Sequence, residues 1–289
     1  PPPAGPAPAP SAPQSPPAGN GLAARAERAG FAHLLVYDHV VGIDRSARPD
    51  FFGPYDVHDP FHEPFVMLGH LAARCHLQLW TGVLVLPQRQ TALVAKQAAE
   101  VDLLSEGRLR LGVGIGWNAA EYEALGEDFS DRAERYEEQI RLLRLLWSQE
   151  TVTFEGKYHR VRGAGIQPLP RQRPIPLWMG GLPVTRVLER IGRLADGWIA
   201  MTRPGPELDE AWGVVRAAAE QAGRPAEGIG LHGIVQPGAD VSADRVRRQA
   251  QRWRDAGAGY LSVSGMGAGR DPAGQLDFVD AVSDALGLG

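Results

Sequence analysis

An aspartate and a histidine stand next to each other at the end of an apolar run early in the chain. The run FAHLLVYDH covers residues 31–39 and ends in Asp38 and His39. Histidine is the usual proton donor or acceptor near neutral pH, and a neighbouring carboxylate can tune it. If the run is a strand of a parallel barrel, both residues lie at its carboxyl end, where such barrels build their sites. The pair is a candidate for acid–base catalysis, although a strand-end Asp-His pair also occurs for purely structural reasons.

Two groups of glycines follow apolar runs and could bring a ligand close to the backbone. Gly180 and Gly181 come after PIPLWM and before a predicted helix that begins at Pro183. Backbone N–H groups at a helix N-terminus attract anions, so the turn suits a phosphate, unless it needs glycine only for steric reasons. The run GVGIGW, residues 112–117, resembles the start of a GxGxxG motif, but Trp117 stands in the place of the last glycine. The match therefore does not indicate a dinucleotide-binding fold. The small residues of this strand instead favour the close approach of a planar ligand to the backbone.

The composition excludes several other kinds of site and partner. His58 and His62 are four positions apart, but a proline lies between them and no third ligand is evident, so no metal is expected. The single cysteine, Cys75, excludes an intrachain disulfide bond. A net charge of -4 gives no reason to expect nucleic acid as a partner. No apolar run is long enough for a membrane span and no secretory signal is visible, so we expect no membrane partner and a cytoplasmic location.

The elements that must position these residues alternate along the chain. Seven apolar runs, which begin near residues 32, 77, 109, 175, 197, 229 and 260, are separated by stretches with helical spacing. This alternation predicts an α/β fold, the (β/α)8 TIM barrel, as a single domain over residues 20–289. The first strand is expected to be missing or irregular, because residues 1–19 are proline-rich and predict a disordered or extended arm. Residues 151–161 predict a β-hairpin, and the long loop 41–60 is either functional or mobile.

The order of the motifs resembles one known family. The segments YDH, TGVLVLPQRQTALVAKQAAEVDLLSEGRLRLGVGIGWN, PIPLWMGG and RLADGWI are similar to those of the bacterial luciferase-like monooxygenase family of flavin and deazaflavin oxidoreductases. The similarity runs from about Ala23 to about Ala268. It implies a TIM barrel in which FMN or the deazaflavin coenzyme F-420 lies across the carboxyl end.

The resemblance also implies roles for particular residues. Gly82 and Val83 fall where the family often has a non-proline cis peptide bond that backs the cofactor ring, and Gly180 and Gly181 fall on the cofactor-phosphate turn. His39, with Asp38 beside it, falls on the histidine that deazaflavin members use near the reactive ring carbon.

The chain departs from the family at Trp117. Some sugar dehydrogenases of the family have a catalytic glutamate there, and a tryptophan implies an apolar or aromatic substrate instead. The neighbouring Asn118 could reach the cofactor.

These observations predict an oxidoreductase that acts on a small organic, apolar substrate. With F-420 it would transfer hydride, and with FMN it would be a monooxygenase. The alternative is a non-catalytic flavin-binding protein, which a barrel without its first strand would favour. A sugar-phosphate isomerase or aldolase predicts a lysine or clustered carboxylates at the strand ends. Neither is seen, since Lys96 and Lys157 fall on a helix and a hairpin. Related barrels often form dimers, so a homodimer is a further expectation by analogy.

Overall fold

The computed structural model describes residues 17–238 and 241–289 of the chain. Strands and helices alternate along nearly the whole of this part. The strands are β1 (His33–Val36), β2 (Gln78–Thr81), β3 (Leu84–Val85), β4 (Leu109–Gly114), β5 (Val152–Glu155), β6 (Arg160–Ala164), β7 (Leu177–Gly181), β8 (Gly197–Ala200), β9 (Gly230–Val235) and β10 (Tyr260–Val263). The helices are α1 (Pro17–Arg28), α2 (Pro64–Ala72), α3 (Thr91–Leu104), α4 (Ala119–Ala124), α5 (Arg132–Ser148), α6 (Thr185–Leu194), α7 (Pro206–Gln221), α8 (Ala243–Asp255) and α9 (Pro272–Leu286).

The main sheet is a nearly closed parallel barrel. Its strands follow the order β1-β2-β4-β7-β8-β9-β10, and β3 also pairs with β4. All of these pairings are parallel, as the helical crossovers between the strands require. The strands β5 and β6 form a separate antiparallel hairpin. The predicted α/β barrel, its seven apolar strands and its hairpin are therefore confirmed.

Three boundaries differ from the sequence-based predictions. The apolar run that contains β2 and β3 is interrupted at Gly82 and Val83, which are joined by a cis peptide bond. Helix α1 begins at Pro17, because proline fits a first helical turn, whose N–H groups have no partner within the helix. The predicted arm, residues 1–19, therefore loses its last three residues to α1, and residues 1–16 lie outside the described part of the chain. Helix α6 begins at Thr185 and not at Pro183.

Aromatic side chains fill the amino-terminal half of the barrel interior. Trp80 on β2 lies 5.0 Å from Trp178 on β7 and 4.9 Å from Tyr260 on β10, measured between ring centroids. The guanidinium of Arg110 lies over the rings of Trp80 and Tyr260, at 5.7 and 5.3 Å from their centroids. Contacts of this kind between a cation and aromatic faces stabilise a buried charge. The packing leaves the carboxyl end of the barrel for a ligand.

Within the described part of the chain, the barrel has a gap between β1 and β10. Among the described residues, β1 pairs only with β2 and β10 only with β9, so one edge of each strand has no strand partner. We call the gap between these two edges the seam. Side chains cross it: the Nε2 atom of His33 lies 2.7 Å from the Oγ atom of Ser262, and the hydroxyl of Tyr37 lies 3.3 Å from that of Ser264. The segment in which the missing or irregular first strand is predicted, residues 1–19, lies outside the described part of the chain up to residue 16.

None of the helices in the described part of the chain is both long and apolar enough to cross a lipid bilayer.

Candidate active site

The residues singled out in the sequence lie at one end of the barrel. Asp38 and His39 follow β1, the Gly82-Val83 bond separates β2 from β3, and Trp117 with Asn118 follows β4. Gly180 and Gly181 end β7. Because all of these strands are parallel, their carboxyl ends meet on one face, and the structure brings the predicted residues to that face.

The Gly82-Val83 bond carries the Val83 side chain against two of the other strands. A Cβ atom added to Gly114 on β4 would lie 2.6 Å from Cγ2 of Val83, and one added to Gly180 on β7 would lie 2.6 Å from Cγ1. Any larger residue at either glycine would displace the valine. The glycine at position 180 therefore has a steric explanation, independent of any phosphate.

The N-terminus of α6 is open to an anion. Its N-cap residue is Val184, whose apolar side chain cannot accept a hydrogen bond from the first-turn N–H groups. The carbonyl of Gly181 is used within the fold, since it accepts a hydrogen bond of 3.0 Å from the indole of Trp198. A phosphate group beside this turn would interact with the N–H groups of α6, so the sequence-based role of Gly180 and Gly181 stays a prediction compatible with the fold.

Asp38 positions the backbone and does not contact His39. The carboxylate of Asp38 is buried and accepts hydrogen bonds from the backbone N–H of Val85 at 2.9 Å and from Arg89 at 2.8 Å. Arg89 also pairs with Glu63 at 3.1 Å. Successive side chains of an extended backbone point in opposite directions, so Asp38 and His39 face different surroundings. The hydrogen bonds of Asp38 tie β1 to the turn after β3 and do not reach His39, so the catalytic role predicted for Asp38 stays a prediction.

The carboxylate that faces His39 belongs to Glu121. Its Oε2 atom lies 3.3 Å from Nδ1 of His39, and its Oε1 atom accepts a hydrogen bond of 2.5 Å from the N–H of Val40. Burial of Glu121 acts to raise the pKa of its carboxyl group, but the hydrogen bonds from His39 and Val40 outweigh burial, and the pKa is lowered. An ionised carboxylate only accepts hydrogen bonds, so the proton of a neutral His39 lies on Nδ1 and leaves Nε2 free to accept another.

The sequence pattern around Glu121 is typical of a different contact from the one that the structure shows. Asn118 is the N-cap of α4, and its side-chain oxygen accepts a hydrogen bond of 3.2 Å from the N–H of Ala120. The spacing Asn118-x-x-Glu121 is that of a capping box, in which the glutamate would bind its own helix start. Glu121 reaches across to the strand end of β1 instead. Asn118, predicted to contact the cofactor, has its oxygen engaged in this helix cap.

Aromatic rings surround His39. The ring centroids of Tyr55, Phe61 and Trp117 lie 5.2, 4.7 and 6.1 Å from that of the imidazole. Phe51 stacks on Trp117 at 6.0 Å. His39, Phe51, Tyr55, Phe61 and Trp117 together line a small cavity, which we call the aromatic niche.

The loop after β1 forms most of this niche. Gly53 lets the loop approach Trp117, since a Cβ atom there would lie 2.4 Å from the indole. The hydroxyl of Tyr55 lies 3.0 Å from the sulfur of Met266, which connects the loop to the residues after β10. Trp117 remains 45% exposed, so its apolar face is available to a ligand. The loop 41–60, predicted to be functional or mobile, thus contributes Phe51 and Tyr55 to the wall around His39.

Comparisons with known proteins agree with this architecture. An F420-dependent glucose-6-phosphate dehydrogenase of Mycolicibacterium fortuitum is 35% identical over 216 residues, which are 69% of this chain and 61% of that protein. The chain thus spans about three fifths of the length of that relative.

Two solved structures share the fold. An F420-dependent secondary alcohol dehydrogenase in complex with an F420-acetone adduct has a TM-score of 0.73 at 17% identity, and the match covers 93% of each chain. An EDTA monooxygenase from Chelativorans sp. BNC1 has a TM-score of 0.76 at 17% identity, covering 93% of this chain and 85% of the other.

The family model for luciferase-like monooxygenases matches residues 3–281, which is nearly the whole chain. The relatives of this chain include the F420-dependent glucose-6-phosphate dehydrogenase named above. The parallel barrel and the cis Gly82-Val83 bond agree with this match. The chain belongs to the luciferase-like monooxygenase family.

Proposed function

We propose that this protein is an oxidoreductase that binds F420, or else FMN, at the carboxyl end of the barrel and acts on a small apolar organic substrate. The observation that carries the proposal is the hydrogen-bonded pair of His39 and Glu121 beside the aromatic niche. F420 would supply a hydride donor or acceptor there, whereas reduced FMN would react with oxygen. Similarity to an F420-dependent relative favours the deazaflavin.

The residues present fit such a cofactor. Gly114 on β4 and Gly180 on β7 leave room for the side chain of Val83, and a planar cofactor ring would lie beside this glycine-lined part of the barrel mouth. The open N-terminus of α6 is suited to the phosphate of either cofactor.

His39 has the arrangement of a general base with a positioning carboxylate. Glu121 holds the Nδ1 side of the imidazole, so Nε2 accepts a proton from the substrate in one direction and returns it in the other. Because Glu121 is buried and ionised, it also stabilises the imidazolium that forms when Nε2 is protonated.

The aromatic niche supports an apolar substrate. Trp117 stands where sugar dehydrogenases of the family have a glutamate, and it presents an indole face beside His39. Phe51, Tyr55 and Phe61 add three more rings. An apolar or aromatic group gains from burial against such surfaces, whereas a sugar phosphate would leave its hydroxyl groups without partners. We therefore do not propose glucose 6-phosphate as the substrate.

One experiment separates the cofactors and the roles. Purified protein is titrated with F420 and with FMN, and binding is followed by fluorescence. We expect F420 to bind more tightly, and binding of neither cofactor would overturn the proposal. His39→Ala should then lower turnover by about 10² or more while the cofactor affinity changes little. His58→Ala, which removes an exposed histidine of the same loop, is the matched control and should leave turnover unchanged.

The second candidate is a cofactor-binding protein without turnover, and the seam is the observation that favours it. A barrel that is open between two strands could hold a cofactor less rigidly than catalysis requires. Binding of F420 without hydride exchange with any carbonyl or alcohol in a broad apolar panel would support this candidate. Hydride exchange in the same panel would exclude it.

A further inference from the structure

Most of the loop after β1 is a compact unit that closes on itself. The N–H of Val57 donates a hydrogen bond of 3.1 Å to the carbonyl of Ile43, so the two ends of segment 43–57 meet. Next to this contact, the guanidinium of Arg45 pairs with the carboxylate of Asp56 at 2.9 Å. Surface segments of about 6–16 residues whose ends lie close together are Ω-loops. We call segment 43–57 the lid.

The lid is attached to the barrel by side chains and not by its backbone. Among the described residues, the backbone–backbone hydrogen bonds of the lid join residues 43–59 to one another, and none reaches a strand or helix of the barrel. Arg48 pairs with Glu123 of α4 at 2.7 Å, but both side chains are largely exposed, and exposed ion pairs are weak. The lid can therefore move as a body without breaking a backbone hydrogen bond.

The aromatic niche has no room for a substrate when the lid is in this position. Its cavity measures about 10 Å³, which holds no more than about one water molecule. The side chain of His39 is only 15% exposed. A substrate whose reacting atom reaches the imidazole must therefore displace one of the closely packed rings around it.

Two of these rings belong to the lid. Phe51 and Tyr55 lie within it, whereas Phe61 and Trp117 lie outside it. Phe51 stacks on the indole of Trp117, with an angle of 30° between the ring planes. It thus covers one face of the indole, the apolar surface beside His39 on which we place the apolar group of the substrate.

The close contact between the lid and Trp117 depends on Gly53. A Cβ atom at this position would lie 2.4 Å from the indole and 2.7 Å from the ring of Phe51. Any side chain at position 53 would therefore hold the lid away from Trp117. The neighbouring Phe52 is 99% exposed and takes no part in this contact.

We propose that the lid opens to admit the substrate and that Phe51 determines which substrates reach His39. With the lid shut, Phe51 occupies the place on Trp117 that the apolar group of the substrate takes when the lid is open. An apolar group that is large enough to replace a phenyl ring thus displaces the lid. This inference rests on the proposed function, because it concerns the same site, but its tests need neither a cofactor nor turnover.

Chemical labelling of His39 tests the opening of the lid in the full chain. Diethyl pyrocarbonate acylates an accessible imidazole nitrogen, and mass spectrometry of peptides follows each histidine separately. Arg48→Ala loosens the lid from α4 and should raise the labelling rate of His39 about threefold. Arg160→Ala, which removes an exposed ion pair of the β5-β6 hairpin, is the matched control and should leave the rate unchanged. Equal rates in the two variants would overturn the lid.

Calorimetric titration with cyclohexanol, a small apolar alcohol, tests the role of Phe51. Phe51→Ala removes the ring that competes with the probe, so we expect the affinity to increase about threefold to tenfold. Phe52→Ala makes the same change at the exposed neighbour and should leave the affinity unchanged. Weaker or undetectable binding to Phe51→Ala would make Phe51 a wall of the substrate site and not a competitor, which would reject the proposal.

Gly53→Ala separates the position of the lid from the loss of a ring. Its Cβ atom holds the lid away from Trp117 while every ring of the niche is kept, so His39 should be labelled faster and cyclohexanol should bind more tightly. An unchanged labelling rate contradicts the lid. The buried His232 is the reporter for folding and should stay unlabelled in every variant. Failure of F420 and FMN to bind would remove the proposed function and would leave these results unchanged, so the two failures are distinguishable.

Discussion

Replacing Glu121 by glutamine tests the arrangement around His39 most directly. The change keeps the shape of the side chain and an oxygen for the N–H of Val40, but it removes the charge. Hydrogen bonds to charged groups contribute about 1.5–3 kcal/mol, and neutral ones about 0.5–1.5 kcal/mol. Glu121 accepts two such bonds and is buried, so we expect Glu121→Gln to lower the free energy of unfolding by about 2 kcal/mol at neutral pH.

The sign of the pH dependence follows from the lowered pKa of Glu121. A carboxyl group whose pKa is lower in the folded state stabilises the protein above its unfolded pKa, near 4.3, and loses this contribution as the pH falls through the folded value. The difference between the wild type and Glu121→Gln should therefore be constant above about pH 5 and shrink below it.

A control on the same helix is available. Glu123 pairs with Arg48 at 2.7 Å, but both side chains are largely exposed. Exposed ion pairs contribute about 0–1 kcal/mol, so Glu123→Gln should change stability little. Both variants are compared by urea unfolding, followed by circular dichroism at pH 7 and pH 4. Equal losses in the two variants, or a loss in Glu121→Gln that does not shrink at low pH, would refute the assigned role of Glu121.

Three further predictions concern the packing and charges around the site. Gly180→Ala should lower the free energy of unfolding by about 1–3 kcal/mol because its Cβ meets Val83, and Val83→Ala should recover part of that loss; additive effects of the two changes would contradict the contact. Arg89→Leu should cost about 3 kcal/mol in urea unfolding because it leaves the buried Asp38 without its charge partner, whereas Arg45→Leu, at an exposed pair with Asp56, should cost less than about 1 kcal/mol. Burial, followed by nearby positive charge, lowers the pKa of His33 to about 4, and burial lowers that of His232 to about 3. Between about pH 6.5 and pH 4 the unfolded chain binds more protons than the folded one, so the free energy of unfolding should decrease as the pH is lowered. His232→Asn should make this decrease smaller.

The fold was predictable from the sequence because its signals are local. Each buried strand is an uninterrupted apolar run, and each crossover has helical spacing, so the seven strands and their order follow from the pattern. The cis bond between Gly82 and Val83 could be predicted only from the family resemblance, since no local pattern distinguishes these two residues from ordinary strand residues. The sequence pattern predicts too late a start for α1, because proline is common both in extended segments and in first helical turns.

The site was less predictable because its contacts join distant positions. Asp38 and His39 are adjacent in sequence, yet they face different surroundings, and the carboxylate that pairs with His39, that of Glu121, lies 82 positions away. The spacing of Asn118 and Glu121 is typical of a local helix cap, so the sequence does not indicate that Glu121 contacts His39. Likewise, the aromatic niche depends on a loop that approaches Trp117 closely at Gly53, a contact that no local sequence pattern indicates.

Because the indole of Trp117 is half-exposed, its intrinsic fluorescence can report binding beside His39. The tryptophans of the barrel strands, Trp80, Trp178 and Trp198, are buried, so a molecule that enters beside His39 changes the environment of Trp117 far more than theirs. Its emission should therefore shift or be quenched as substrate binds, even when no product forms. Trp117→Phe would keep an aromatic wall and remove that signal. Substrate candidates can thus be screened by light emission alone, before their chemistry is known.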